Sequence, residues 1–313
     1  MADVARGANG TEGSVPTQDA GGTAGRERGI RTKFLRNRSA IGALIAFALI
    51  VLVGALSPWV APLRPDTVQL GLRNMPPGVL GDDGTRYLLG TDFLGRDVLT
   101  RMLYGLRISL IVGFASIGLG LLLGVTLGLT AGFYGKAWDA VIMRLVDIQL
   151  SFPTILIAIA WAAFVGPGIV SIIAIIALTS WVEYARVVRG ATLSLREQAF
   201  VEGAFAVGLR SPVVMLRHVL PNVLSPVIIV ATLQLGRAII LESTLSFLGL
   251  GIQPPMPSLG SMLADGRRYL DTAWWVATMP GLAIMFLVLS SNLLGDSLRD
   301  VLDPRHAAGD HKR

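Results

Sequence analysis

Long apolar runs alternate with short polar segments along the chain, and this pattern predicts an all-α integral membrane protein. The first run is Ser39–Ala61, with Trp59 at its far end. A helix needs about 20 apolar residues to cross the hydrocarbon core of a bilayer. Five later runs are also long enough: Gly105–Gly132, Asp139–Val165, Gly168–Val188, Pro226–Leu250 and Ala273–Leu298. We therefore predict six transmembrane helices.

The polar segments divide the chain and orient it. We expect residues 1–38, a Gly/Ser/Thr-rich tail ending in a dense basic run, to be cytoplasmic and without regular structure. Residues 62–104 form a loop of mixed charge, 105–298 a five-helix core, and 299–313 a C-terminal tail. Because Lys and Arg concentrate on one side, the positive-inside rule predicts cytoplasmic termini and an extracytoplasmic 62–104 loop. A cleaved secretion signal is the competing interpretation of the first run, but its leader and apolar stretch are too long.

Composition supports lipid as the solvent. The chain is 52% hydrophobic and 15% charged, with a mean hydropathy of +0.62, whereas soluble proteins carry about 25% charged residues. The net charge of +6 would also suit nucleic acid, but the basic residues stand in short blocks between apolar runs, so we attribute them to topology. The chain has no cysteine, which excludes disulfides, thiol nucleophiles and thiolate metal sites.

The second predicted span carries a glycine every four residues: Gly120, Gly124, Gly128 and Gly132. Small residues at this spacing let another helix backbone approach closely in a membrane. Glycine is also frequent in membrane helices, but the fourfold repeat favours a packing face.

A polar insert separates the fourth and fifth spans. Leu195–Val207 is predicted to be a helix with Ala199, Gly203 and Ala206 on one face. Gly208 is expected to end it, Ser211 and Pro212 to start a second helix, and Pro221 to stop that helix. Ser225 and Pro226 then open the fifth span. The segment 195–221 is thus predicted to be a cytoplasmic helix-turn-helix, which either rests on lipid headgroups or docks a partner; its small-residue face favours docking.

The insert resembles the signature loop of permease subunits of ABC importers, which reads Glu-Ala-Ala, three residues, Gly, nine residues, Ile-x-Leu-Pro. Here Gly203 replaces the first Ala and His218 the Ile, with the spacing kept. The resemblance implies a coupling site for ATPase subunits. The residues assigned to it are Glu202, Gly203, Ala204, Gly208, Ser211, Pro212, Arg217, His218, Leu220 and Pro221.

Two more stretches resemble the dipeptide and oligopeptide branch of this binding-protein-dependent transport family. They are residues 89–110, beginning Leu-Gly-Thr-Asp-Phe-Leu-Gly-Arg-Asp, and residues 245–255, beginning Leu-Ser-Phe-Leu-Gly-Leu-Gly. The resemblance covers about residues 35–305, and the chain departs from it at Leu259, where many relatives carry Trp. It implies a type I ABC importer permease-like fold in a bacterial inner membrane, and a non-catalytic subunit.

The resemblance also implies partners. These are a homologous permease subunit, two cytoplasmic ABC ATPase subunits, an extracytoplasmic solute-binding protein and the lipid bilayer, with no nucleic acid. The chain lacks a Gly-x-x-x-x-Gly-Lys-Ser/Thr phosphate loop. It is therefore expected to bind no cofactor or metal itself, while its ATPase partners use ATP and Mg²⁺.

Charged residues within the predicted spans are candidates for a polar path. Arg237 and Glu242 lie inside Pro226–Leu250, and a charge at that depth is costly unless it faces the bundle interior or water. They lie five residues apart, so each is expected to meet another helix or a partner, either lining the path or forming structural ion pairs. Asp147 is expected to pair with Arg144, and Glu183 to lie near the membrane interface beside Arg186 and Arg189.

The resemblance therefore predicts a permease subunit for ATP-driven import of dipeptides or oligopeptides. Nickel or another metal chelate is the alternative cargo within the family. A self-sufficient secondary transporter is the alternative of another class, but no clear internal repeat supports it. A membrane enzyme has no supporting HExxH or GxSxG motif, and the histidines, His218, His306 and His311, fall outside the predicted spans.

Overall fold

The computed structural model describes residues 38–81 and 84–302, and its long helices follow the apolar runs. The helices are α1 (Arg38–Ala55), α2 (Ser57–Val60), α3 (Val98–Tyr134), α4 (Lys136–Leu150), α5 (Thr154–Val165), α6 (Ile169–Arg196), α7 (Ala199–Ala206), α8 (Ser211–Val214), α9 (Leu220–Phe247), α10 (Leu259–Gly266) and α11 (Trp275–Leu302). The predicted features in 1–37 and 303–313, including the N-terminal basic run, Arg305, His306 and His311, lie outside the described residues.

Within the described residues, four helices are long and apolar enough to cross a membrane: Val98–Tyr134, Ile169–Arg196, Ser211–Phe247 and Trp275–Val301. The bent pair α4 and α5 gives a fifth if it counts as one span. The first predicted span contains the shorter apolar helix Ser39–Ala55. The predicted number of six spans therefore stays a prediction.

The third predicted span, Asp139–Val165, is not one helix, and in that respect the prediction was wrong. Helices α4 and α5 meet at an angle of 89°. The break falls at Ser151, Phe152 and Pro153. Proline has no N–H to donate and disfavours a helical conformation in the residue before it, so the local sequence itself explains the bend.

The centre of the bundle is the contact between α3 and α6. All four glycines predicted to form a packing face are buried on α3. A β-carbon at Gly120, Gly124, Gly128 or Gly132 would lie less than 3.0 Å from atoms of α6. Because real β-carbons do not approach that closely, the two backbones can touch only where side chains are missing.

Residues 62–81 and 84–97, in the segment predicted as a polar loop, fold into an ordered cap on one end of the bundle, here called the loop end. Thr91 is fully buried; its hydroxyl donates to the Leu72 carbonyl and accepts from the Met75 N–H at 2.9 Å. The Trp275 indole N–H donates to the Thr91 carbonyl at 3.1 Å. These bonds tie the cap to the first turn of α11. A short hairpin, β1 (Val79–Leu80) paired with β2 (Arg86–Tyr87), completes the cap.

Charged residues of the cap are paired as well. The Asp92 carboxylate accepts from the Arg96 Nε at 2.7 Å and lies 3.6 Å from the Arg101 Nε. The Asp97 side chain caps α3 by accepting from the Thr100 N–H at 2.8 Å. On α10, burial raises the pKa of the Asp265 carboxyl, and the nearby Arg101 and Arg96 oppose that rise. This network fixes the position where α3 begins.

Candidate functional site

The predicted docking segment lies at the end of the bundle opposite the cap. Val201 and Ala204 of α7 are buried and join an apolar cluster with Leu129, Phe133 and Val188. Helix α6 continues to Arg196, and a break at residues 197–198 precedes α7. The predicted single helix Leu195–Val207 was therefore wrong at its start. Two buried anchors hold α7 firmly on α3 and α6.

The opposite face of α7 is open. Ala199, Glu202, Gly203 and Ala206 are exposed, and a β-carbon on Gly203 would meet nothing within 4 Å. Just beyond the helix, the Val207 side chain is 84% exposed. The small residues thus leave room for another surface, in contrast with the filled face of α3.

Gly208 ends α7, as its sequence position predicted. Its φ of +85° is a left-handed conformation that glycine adopts without steric cost. The Gly208 N–H donates to the Phe205 carbonyl at 2.9 Å, and the Leu209 N–H to the Ala204 carbonyl at 3.2 Å. These are the two bonds of a Schellman motif, so the end of α7 is defined by its backbone.

The second predicted helix differs from the structure at both ends. Arg210, not Ser211, occupies the cap position of α8, and Pro212 falls within the first turn. Pro221 does not stop the helix, and Pro226 does not open a new one, because Ser211–Phe247 runs as one continuous helix. The predicted helix-turn-helix is therefore α7, a turn, and the first part of a spanning helix.

A π-helical turn at Met215–Val219 explains how the helix passes Pro221. The Leu220 N–H donates to the Met215 carbonyl, five residues back. Because Pro221 has no N–H, a regular α-helical ladder would be interrupted here in any case. Single π turns inside α-helices occur often at functional sites.

The remaining residues assigned to coupling lie along this turn. Arg217 and Pro221 are exposed, whereas His218 and Leu220 are half-buried. The His218 carbonyl accepts from the Asn222 side-chain amide at 2.7 Å. Val214 and Val219 are fully buried in the apolar cluster that also anchors α7. The charged groups and the anchors therefore occupy opposite sides of the same turn.

A second polar feature lies between α6 and α9. Arg237 of α9 pairs with Glu183 of α6 through a 2.6 Å contact between Arg237 Nη1 and Glu183 Oε1. Both side chains are accessible, at 67% and 46% of their surface. Arg237 was expected to meet another helix, and it does. Glu183 lies midway along α6, and its expected position near the membrane interface beside Arg186 and Arg189 stays a prediction.

Glu242, the other predicted path residue, is enclosed. It has no exposed surface, and its carboxylate accepts from the hydroxyls of Ser109 at 2.8 Å, Ser246 at 2.9 Å and Ser243 at 3.3 Å. Ser109 belongs to α3. The three hydroxyls satisfy the carboxylate oxygens and join α9 to α3, so the two predicted path residues occupy opposite environments.

Other charges pair differently from the prediction. Asp147 lies 3.5 Å from the Arg186 Nη2, so the expected pair with Arg144 on the same helix was wrong. Arg189 forms a two-point pair with Asp139. Both pairs link α4 to α6; Asp139 lies near the start of α4 and Asp147 near its end.

A cleft of about 210 Å³ surrounds the Arg237–Glu183 pair. Polar groups from three helices line it: Thr154, Thr179, Ser180 and Gln234. None of these four was predicted as a site residue. A signal was present for two of them, because Thr179 and Ser180 stand about one turn before Glu183 in an otherwise apolar segment.

Among the residues that the structure describes, no group of three or more His, Cys, Asp or Glu side chains is placed to hold a metal ion.

Comparison with known proteins gives consistent matches. Residues 124–307 match the family described as "Binding-protein-dependent transport system inner membrane component". Residues 28–77 match the "N-terminal TM domain of oligopeptide transport permease C". The first match includes the docking segment, and the second includes the first predicted span.

Curated relatives cover most of the chain. The di/tripeptide transport system permease protein DppC of Pseudomonas aeruginosa is 42% identical over 272 residues, 87% of this chain and 90% of that protein. The dipeptide permease DppC of Alkalihalophilus pseudofirmus is 41% identical over 86% of this chain and 87% of the relative. The glutathione permease GsiD of Escherichia coli is 40% identical over 87% and 88%.

The fold has a counterpart among solved structures. A chain of the MetNI methionine ABC transporter, in an inward-facing conformation, superposes with a TM-score of 0.51 and 21% identity, covering 65% of this chain and 96% of that chain. The predicted fold class, an all-α permease-like membrane protein, is thereby confirmed.

Proposed function

The chain belongs to the family of inner membrane components of binding-protein-dependent transport systems, and from that membership we propose that it is the permease subunit of an ATP-driven importer of dipeptides or oligopeptides. Peptide permeases are its relatives at about two-fifths identity over most of its length. Chelated nickel and a self-sufficient secondary transporter were the alternatives, and the relatives reported above favour neither.

The exposed face of α7 is the observation that carries the proposal. It combines open small residues with buried anchors, Val201 and Ala204, that prevent the helix from moving independently of the bundle. Such a surface suits a partner that pushes on the permease. We propose that this partner is a pair of cytoplasmic ABC ATPase subunits, which would bind ATP and Mg²⁺ and hydrolyse the ATP. This chain itself would catalyse no reaction.

The path itself would form between this chain and a homologous permease subunit. An extracytoplasmic solute-binding protein would deliver the peptide at the loop end, where the ordered cap lies. This orientation puts both termini in the cytoplasm and agrees with the excess of basic residues on that side. Force on α7 would pass through the turn at residues 207–210 and the shared apolar cluster to Ser211–Phe247, the continuous helix that carries Arg237. Domain closure transmitted through packed helices is a common form of such switching.

Reconstitution tests the proposal. The chain is assembled in proteoliposomes with its partner permease, ATPases and binding protein, and uptake of a radiolabelled dipeptide is measured with and without ATP. We expect uptake that requires both ATP and the binding protein. A matched complex with a disabled ATPase serves as the control. Uptake that runs on an ion gradient without ATP would contradict the proposal, and uptake of nickel chelates but not peptides would reassign the cargo.

A further inference from the structure

The Arg237–Glu183 pair combines depth with accessibility. Glu183 stands 14 residues from Ile169, where α6 begins, and 13 from Arg196, where it ends. At 1.5 Å per residue, this places the carboxylate about 20 Å from either end of the helix. Both side chains are nevertheless largely uncovered by the rest of the chain.

Lipid is not a plausible neighbour for this surface. A charged side chain near the bilayer centre costs about 2.5–3.5 kcal/mol on insertion scales. Several groups next to the pair are polar as well: Thr154, Thr179 and Gln234 line the same cleft, alongside apolar residues such as Ile117 and Leu241. Polar lining at this depth is typical of a water-filled path rather than of a lipid-facing surface.

The cleft holds one base and one acid, and the nearby acid Glu242 does not contribute. Glu242 is sealed behind three serine hydroxyls and has no exposed surface. The resting cleft is therefore electrically balanced, with Arg237 and Glu183 neutralising each other. A solute that carries one positive and one negative group could replace this pair without adding net charge.

On the proposed function of peptide import, we infer that Arg237 and Glu183 form a subsite for the two charged termini of the peptide. The ion pair opens, the Arg237 guanidinium receives the α-carboxylate, and the Glu183 carboxylate receives the α-ammonium. Arg237 uses Nη1 for Glu183, and the guanidinium fork can hold a carboxylate through two donors.

This arrangement suits transit rather than storage. When the peptide binds, the Arg237–Glu183 ion pair is replaced by two ion pairs of the same kind, so the net gain in binding free energy is small. Weak binding is suitable here, because a solute on a conduction path must also be able to leave. Only the termini are recognised, so the side chains of the peptide are free to vary.

The cysteine-free sequence permits a direct test. A Thr179→Cys reporter in the cleft is labelled with a water-soluble thiol reagent in the complete complex, held in nanodiscs without ATP. Leu122→Cys, on an exposed apolar position of α3, is the lipid-facing control. We expect labelling at position 179 but not at 122, slowed at least tenfold by millimolar dialanine. The same peptide with an acetylated N-terminus and an amidated C-terminus should give no protection.

Substitutions then assign the two charges. In the reporter background, Arg237→Gln and Glu183→Gln should each raise the dialanine concentration for half-protection at least tenfold. Labelling without peptide should stay equal to that of the reporter, which shows that the cleft is intact. If either variant fails to assemble, Arg237→Lys and Glu183→Asp carry the test, with smaller rises in the same direction.

Three results would overturn the inference: no labelling at position 179, equal protection by capped and free dialanine, or half-protection unchanged in the variants that assemble. The first would mean that another subunit fills the cleft. Wild-type uptake in proteoliposomes separates this outcome from failure of the proposed function. A complex that imports dipeptide but shows none of the expected protection contradicts the subsite alone.

Discussion

Two helices of this chain carry small residues at helical spacing, and they use them in opposite ways. On α3, the positions of Gly124 and Gly128 are occupied by the backbone of α6, so that a β-carbon would collide with it. On α7, Gly203 faces empty space. Both helices are fixed in the bundle by buried residues. The same pattern therefore marks a contact already made on α3 and an open surface on α7, which we propose another subunit covers.

The comparison separates the α3 glycines, which stabilise the subunit, from the α7 small residues, which we propose contact a partner subunit. The α3 face should tolerate no added volume, because backbone cannot yield as a flexible side chain can. A larger side chain on the α7 face should leave the isolated subunit stable but impair transport by the assembled complex. Four predictions test this difference, beginning with the largest effect.

Gly128→Leu should prevent stable folding. The new side chain would overlap the Ala185 backbone, and forced overpacking costs about 3 kcal/mol or more when backbone must move. Yield and thermal unfolding of the purified subunit measure the effect. Gly118→Leu is the matched control on the same helix, because its β-carbon meets nothing within 4 Å. Equal stability of the two variants would break the comparison.

Gly203→Leu should leave the subunit folded but prevent it from binding the ATPase subunits. We expect thermal stability within about 0.5 kcal/mol of wild type, as for an exposed substitution. Retention of the ATPase subunits on affinity purification should fall at least tenfold, together with ATP-driven uptake. Gly190→Leu, at another exposed and uncrowded glycine, is the control. Normal retention with Leu at position 203 would show that the partner docks elsewhere.

Gly208→Val should uncouple transport while expression stays intact. No atom crowds this site, but its φ of +85° costs a residue with a β-carbon about 1–2 kcal/mol. We expect ATP hydrolysis that no longer responds to loaded binding protein. Gly208→Asn, which accepts the left-handed conformation more readily, should retain most of the response. Full stimulation in the valine variant would contradict a coupling role.

Ser109→Ala should have the smallest effect. It removes one of the three hydroxyls around Glu242; a hydrogen bond to a charged group contributes about 1.5–3 kcal/mol of stability, but Ser246 and Ser243 keep the carboxylate paired. Peptide uptake should stay within about twofold, since the residue is sealed from the cleft. Ser116→Ala is the control on α3, because that hydroxyl donates only to Val112 of its own helix. A large loss of uptake in Ser109→Ala alone would place Glu242 on the path after all.

Features that are encoded by a few neighbouring residues of one helix could be predicted from the sequence. The four glycines of α3 and the end of α7 at Gly208 were of this kind, because spacing and backbone freedom act within a few residues. The break before α5 was equally local, and Pro153 was its signal. Because the apolar run continues through residue 153, the prediction treated Asp139–Val165 as one span.

Other features depend on how segments meet. Arg237 and Glu183 stand 54 residues apart, and only the packing of α6 against α9 brings them together. Pro221 and Pro226 were interpreted as helix boundaries from the missing N–H alone. The π turn before Pro221 and the buried anchors Val214 and Val219 keep the helix continuous. Such tertiary packing cannot be predicted from the residues next to a proline.

The continuity of Ser211–Phe247 makes it a lever. At 1.5 Å per residue, its 37 residues measure about 55 Å, against about 30 Å of hydrocarbon. We take Pro226, inside this helix, as the pivot of a rigid rod. The arm from Ser211 to this point is about 22 Å and the arm to Arg237 about 16 Å. A 5 Å displacement at the α8 end would thus move Arg237 by about 4 Å, enough to break its 2.6 Å contact with Glu183. The ratio of the two arms therefore sets the smallest stroke that can open the ion pair.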